Sequence, residues 1–269
     1  MGNVVVVVGV GGMGLACARR IGAGQRLLLA DFDASALESA ASVLTNSGYD
    51  VRTIVVDVAH PWSVENLASL ASSMGELRAL VHTAGLSPTM AEPARIFAVD
   101  LVGTALVIDA FLPLARPGSV AVVIASMAPQ LVATPVELER SLATARTDEL
   151  LDVIGELHKD DPYGAYAVSK RGNQLRVEAA VSAWGERGAR IVSISPGLIH
   201  TGMGVKEENA SDQVVALREA TPMGRVGTPE DIAAAVDWLI GPAASFITGI
   251  DLRIDGGVVS AVRYVSTDC

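Results

Sequence analysis

Short runs of aliphatic and β-branched residues recur along the chain, and each is followed by a longer stretch with apolar positions at helical spacing. The runs fall at residues 4–8, 26–30, 51–56, 79–82, 119–125, 190–194 and 251–254, and each predicts a strand. Helical patterns lie near 12–22, 34–47, 63–73, 93–114, 163–187 and 229–240. Strands that are apolar throughout, rather than at every second position, belong to a sheet covered on both faces. The expected architecture is therefore α/β: a doubly wound, parallel seven-stranded sheet with helices on both faces, in a single domain over residues 1–269. Residues 129–162 break the alternation. They carry leucines at helical spacing (Leu138, Leu142, Leu150, Leu151, Leu157) but lead into a helix with no strand between, so they read as a helical insertion.

Composition narrows the class. Half of the 269 residues are hydrophobic and 19% are charged, which opposes extensive disorder. The net charge of −10, with no basic cluster and 4% aromatic residues, excludes a nucleic-acid footprint. The valine run near the N-terminus is too short for a signal core and has no basic residues before it. No apolar stretch looks long enough to span a bilayer, and the two cysteines, Cys17 and Cys269, suit a reducing compartment. The expectation is a cytoplasmic protein without membrane or nucleic-acid partners. His60, His82, His158 and His200 are scattered without ligand spacing, so no metal site is expected.

The first strand runs into GVGGMG, in which Gly9, Gly11 and Gly14 form G-x-G-x-x-G ahead of a helix. In that setting Gly9 permits a tight turn, Gly11 lets backbone approach a pyrophosphate, and Gly14 lets helix and strand pack closely. Together with Gly12 and Met13, these residues place free N–H groups at a helix N-terminus, where phosphate oxygens bind in the dinucleotide-binding (Rossmann) arrangement. Asp31, seventeen residues past Gly14 at the end of the second strand, is positioned to accept hydrogen bonds from an adenosine ribose. A carboxylate there repels a ribose 2′-phosphate and no Arg or Lys lies in the loop, so NAD is expected over NADP.

The reacting group is sought in DPYGAYAVSK, where Tyr166 and Lys170 lie four apart on one helix face. A nearby ammonium favours the tyrosinate and makes the phenol a usable general acid/base. With these residues in view, the chain resembles the short-chain dehydrogenase/reductase family, its bacterial members in particular. The resemblance rests on HTAG at 82–85, Ser126 ending the fifth strand, YAVSK at 166–170, SPGLIHTGM at 195–203, and the long stretch MGRVGTPEDIAAAVDWLIGPAASFITGIDLRIDGG. It implies a hydride transfer between NAD(H) and a secondary alcohol or ketone. Tyr166 would exchange the proton, Lys170 would bond the nicotinamide ribose and depress the tyrosine pKa, and Ser126 would orient the substrate oxygen. The resemblance further places Asp57 and Val58 at the adenine, Ala84 and Gly85 beside the cofactor, and Pro196, Gly197, Ile199 and Thr201 around the nicotinamide. It implies a homo-oligomer, dimer or tetramer, and a substrate lid over 202–222.

The chain also departs from the family pattern. The glycine loop is one residue short, and Val8 stands where the family has Thr. Asp100 occupies the position of an Asn that supports a proton relay, so it joins Ser126, Tyr166 and Lys170 as a candidate catalytic residue. Ser126 and Tyr166 are 40 residues apart, because of the insertion, which can cover the substrate cleft or alter the helix interface used for assembly. Two other functions are compatible with the pattern: an impaired dinucleotide-binding sensor or regulatory protein, and a 3-oxoacyl reductase. Asp31 and the acidic surface oppose the latter.

Overall fold

The computed structural model describes residues 2–205 and 211–265. Seven parallel strands form one sheet in the order β3-β2-β1-β4-β5-β6-β7. They are β1 (Asn3–Val8), β2 (Arg26–Asp31), β3 (Asp50–Val55), β4 (Glu76–His82), β5 (Val120–Ile124), β6 (Arg190–Pro196) and β7 (Asp251–Ile254). All-valine β1 shows why the runs do not alternate. Val5 and Val7 pack with Cys17, Ile21, Leu37 and Val236 on one face, while Val4, Val6 and Val8 pack with Leu67, Phe111 and Trp184 on the other. The sequence order reverses between β1 and β4, which opens a crevice at their carboxyl ends.

Helices α1 (Gly12–Ile21), α2 (Ala34–Asn46) and α3 (Pro61–Met74) connect the first four strands. The Asp33 carboxylate caps α2 by accepting from the Ser35 and Ala36 amides, and Pro61 begins α3 where no amide is needed. The next helix, α4, is not uniform. It starts as an α-turn (Pro93–Ile96), widens into a π-helix (Phe97–Gly103) and resumes as Thr104–Phe111. Contrary to the reading of the sequence, Pro93–Leu114 is long and apolar enough by composition to cross a bilayer, with a mean hydropathy of 1.9. It is instead largely packed inside the fold.

The insertion is two short helices, α5 (Val136–Thr144) and α6 (Leu150–Ile154), rather than one. Their Leu142, Leu150 and Ile154 pack against Ile96, Leu101 and Ala105 of α4 and against Ala165, Val168 and Leu175 of α7 (Pro162–Gly185). Arg176 of α7 donates to the Leu142 and Ala145 carbonyls at 3.2 and 3.0 Å, and Arg171 pairs with Glu139 at 2.7 Å. The remaining helices are α8 (Asp212–Glu219), α9 (Pro229–Ile240) and α10 (Val258–Val265). A capping box between Thr228 and Asp231 starts α9. Neither α8 nor α10 is predicted from the pattern. The expected lid over 202–222 includes α8 but also residues 206–210, which lie outside the described residues.

Candidate active site

The shortened glycine loop makes its turn without the missing residue. Gly9 has φ +92°, a left-handed conformation that disfavours any side chain, and a Cβ there would meet the Ala84 amide. A Cβ on Gly14 would strike the Gly9 carbonyl, so close packing accounts for this glycine, as expected. Gly11 has open space around its Cβ position and borders the adjoining cavity. Two side chains brace the turn. The Thr83 hydroxyl donates to the Gly9 carbonyl at 2.9 Å, and Asp31 Oδ2 accepts from the Val10 amide at 2.7 Å. The other Asp31 oxygen accepts from the Asp33 amide at 2.9 Å, so this carboxylate supports the loop as well as facing the cavity.

Three cavities run on from one another along the crevice. A trench of about 650 Å³ is lined by Gly9, Gly11, Gly12, Met13, Gly14, Asp31, Asp57, Val58, Ala84 and Gly85. Met13, Thr201 and Met203 also line a small niche of about 70 Å³ with Pro196, Gly197, Ile199, Ser126 and Tyr166. Ser126 and Tyr166 in turn border an apolar cleft of about 680 Å³. The trench suits a dinucleotide: its glycine floor leaves backbone exposed at Gly11, and α1 begins at its edge. Arg95, which carries no sequence signal, also lines it. Its guanidinium donates to Asp57 Oδ2 at 2.9 Å and lies 5.8 Å from the Phe32 ring centre, so Arg95 bridges two residues of the trench wall.

Ser126 lies just past the end of β5, which stops at Ile124, and its Oγ accepts from the Ala128 amide at 3.1 Å. Behind it, Gln174 of α7 donates to Ser195 Oγ at 2.8 Å and to the Ser126 carbonyl at 3.3 Å. Ser193 and Ser195 both donate to Asp251 Oδ1, at 2.6 and 2.9 Å. This network fastens α7, and with it Tyr166, to β6 and β7. Lys170 is buried, with Nζ 3.0 Å from Asp100 Oδ2 and 5.5 Å from the Tyr166 ring centre. A Cβ on Gly85 would touch both Lys170 Nζ and Asp100 Oδ2, so the glycine leaves room for this ion pair beneath the trench.

The π-helical turn presents Asp100, whose Oδ1 accepts from the Leu86 amide at 2.7 Å. Burial pushes its carboxyl pKa up, against the opposing pull of Lys170 and the Leu86 amide. Its carbonyl accepts from the Thr104 hydroxyl at 2.7 Å. Because that hydroxyl proton is committed, His82 Nε2, 3.0 Å from Thr104 Oγ1, must be the donor, which leaves a bare Nδ1. Burial, and then the Lys170 charge, lowers the His82 pKa from 6.5 to about 3. A depressed histidine pKa contributes stability that is complete above the unfolded value and is lost as pH falls from 6.5 toward 3. Over that window stability falls steadily with pH on account of this one group. Urea unfolding at about pH 7 and pH 5 tests the sign, since His82→Gln, which does not titrate, flattens the dependence.

Comparison with known proteins shows the family and the fold. A family model described as short chain dehydrogenase matches residues 3–135, and one described as Enoyl-(Acyl carrier protein) reductase matches residues 151–259. The short-chain dehydrogenase/reductase bsc3 of Alternaria brassicicola is 38% identical over 99% of this chain and 98% of its own. The chain is a short-chain dehydrogenase/reductase. A 3-alpha-hydroxysteroid dehydrogenase/carbonyl reductase of Comamonas testosteroni is 32% identical over 68% of this chain and 73% of its own. Among solved structures, a short-chain dehydrogenase/reductase from Brucella melitensis aligns over 96% of both chains, with a TM-score of 0.75 and 25% identity. As a short-chain dehydrogenase/reductase, the protein is an oxidoreductase of a family that uses nicotinamide dinucleotides on alcohols and carbonyls.

Proposed function

We propose that this short-chain dehydrogenase/reductase interconverts a secondary alcohol and a ketone with NAD(H), using Tyr166 as general acid/base. The observation that carries the reading is the wall of Ser126 and Tyr166 shared by the niche and the apolar cleft. A reacting carbon seated at that junction lies beside both hydroxyls. When bound, the dinucleotide supplies or takes the hydride. Ser126 Oγ and Tyr166 Oη hold the substrate oxygen, and Tyr166 gives it a proton on reduction or removes one on oxidation. Lys170 stabilises the tyrosinate and faces the ribose of the nicotinamide half. Asp100 holds Lys170 in place. Pro196, Gly197, Ile199 and Thr201 form the nicotinamide wall, and Met127, Leu198, Val214 and Leu217 exclude water from the substrate.

NAD is the preferred cofactor in this reading because Asp31 meets the ribose, and because the Arg95 charge is already held by Asp57. Asp31→Ala, which also loosens the loop at Val10, lowers NAD affinity about tenfold or more, by ~1.4 kcal/mol. It lowers NADP affinity less. Titration of each nucleotide by tyrosine or tryptophan fluorescence measures the difference. An NADP preference in the unaltered protein would falsify this cofactor assignment.

The protein is cytoplasmic and homo-oligomeric in this account. The insertion covers α4 and α7, so assembly would use other surfaces. Trp238, Phe246 and Ile250 are exposed, Ile250 immediately before the outer strand β7. Light scattering reads the state directly.

A further inference from the structure

His158 was among the scattered histidines, yet it lines the apolar cleft together with Ser126 and Tyr166. Three features single it out. Its backbone is left-handed, with φ +54°, and among the described residues no other non-glycine has positive φ. Such strain persists only where the surroundings impose it. Its ring rests on Gly164 of α7, where a Cβ would strike Nδ1 and Cε1. Its Nδ1 lies 3.1 Å from Asp161 Oδ2, while Asp161 Oδ1 caps α7 by accepting from the Gly164 amide at 3.0 Å.

A carboxylate can only accept, so the Asp161 contact places a proton on His158 Nδ1. In the neutral imidazole Nε2 is then an acceptor, and it has no hydrogen bond to any described residue. Tyr163, Gly164, Tyr166 and Ala167 all line the cleft from the first turns of α7, so His158 and Tyr166 line one space. Between them the walls are largely apolar: Met127, Leu131, Val132, Leu198, Leu217 and Val262.

We propose that His158, aligned by Asp161, is a specificity-determining residue that accepts a hydrogen bond from a second hydroxyl on the substrate, remote from the reacting carbon. The substrate class is thus a ketone or secondary alcohol on a bulky apolar skeleton that carries a further hydroxyl. This inference rests on the reading of the cleft as the substrate site, and it deepens that reading.

The test compares a decalone with the same decalone hydroxylated on its far ring, and cyclohexylcyclohexanone with its far-ring hydroxyl derivative. Dissociation constants are measured by calorimetry on the full chain with NADH present, and reduction is followed in parallel. In at least one pair the hydroxylated ketone binds about tenfold tighter, as one buried hydrogen bond allows. His158→Gly, which suits the left-handed backbone and so keeps the fold, abolishes that preference. The readout is the ratio of the two dissociation constants within each pair, so a change in cleft volume that acts on both members alike does not enter it. Asp161→Asn, which can still cap α7, reduces the preference without abolishing it. The proposal is overturned if neither pair shows a preference, or if the preference survives in His158→Gly. Preferential binding without reduction by the unaltered protein would overturn the hydride-transfer reading and leave this one standing.

Discussion

Tyr166→Phe lowers kcat by a factor of about a thousand and leaves the dissociation constant of NAD nearly unchanged. The Tyr166 phenol borders both the niche and the apolar cleft, whereas His200 lines the niche alone and Ser126 Oγ accepts from the Ala128 amide. Removing one oxygen from a cavity wall does not alter the glycine floor or Asp31. The loss therefore falls on turnover rather than on nucleotide binding. Initial rates and a nucleotide titration on the same preparation separate the two. Retained turnover would remove Tyr166 from the role of proton donor.

Asp100 carries the second large effect. Asp100→Ala removes the carboxylate paired with Lys170 in a site where both partners are buried, and it leaves the Leu86 amide without its acceptor. Breaking a buried pair by deleting one partner costs about 3–5 kcal/mol. In a chain of this size that lowers the melting temperature by roughly 10 °C. Asp100→Asn retains an acceptor for Leu86 and costs less. It also removes the anion that offsets the Lys170 charge, so the ammonium acts more strongly on Tyr166. The rising limb of alcohol oxidation then moves to lower pH. A limb that stays in place in Asp100→Asn would show that the carboxylate does not act through Lys170.

What could be read from the sequence is what local pattern determines. The strand runs, the glycine spacing and Asp31 have signatures a few residues long, and the structure gathers them around one trench. The insertion was visible as an interruption, but not its break, where Ala145 turns extended before Arg146 joins Asp148 at the next short helix. The π-helical turn that aims Asp100 at Lys170 has no legible signature, because the stretch around it is apolar at nearly every position and hides a one-residue slip in phase. Arg95 and His158 carry no local signature for what they do, because what each faces is assembled by the fold. Arg95 meets Asp57 across 38 positions, and the value of His158 lies in a cleft wall built by distant segments.

Hydride transfer at the Ser126–Tyr166 junction is the central claim. The most direct measurement is absorbance at the nicotinamide band while the protein is mixed with NADH and a panel of bulky ketones, and with NAD and the matching alcohols. The account predicts oxidation of NADH by at least one ketone, its reversal with the corresponding alcohol and NAD, and loss of both in Tyr166→Phe. Tight binding of NADH with no absorbance change across the panel would contradict it and favour a nucleotide sensor.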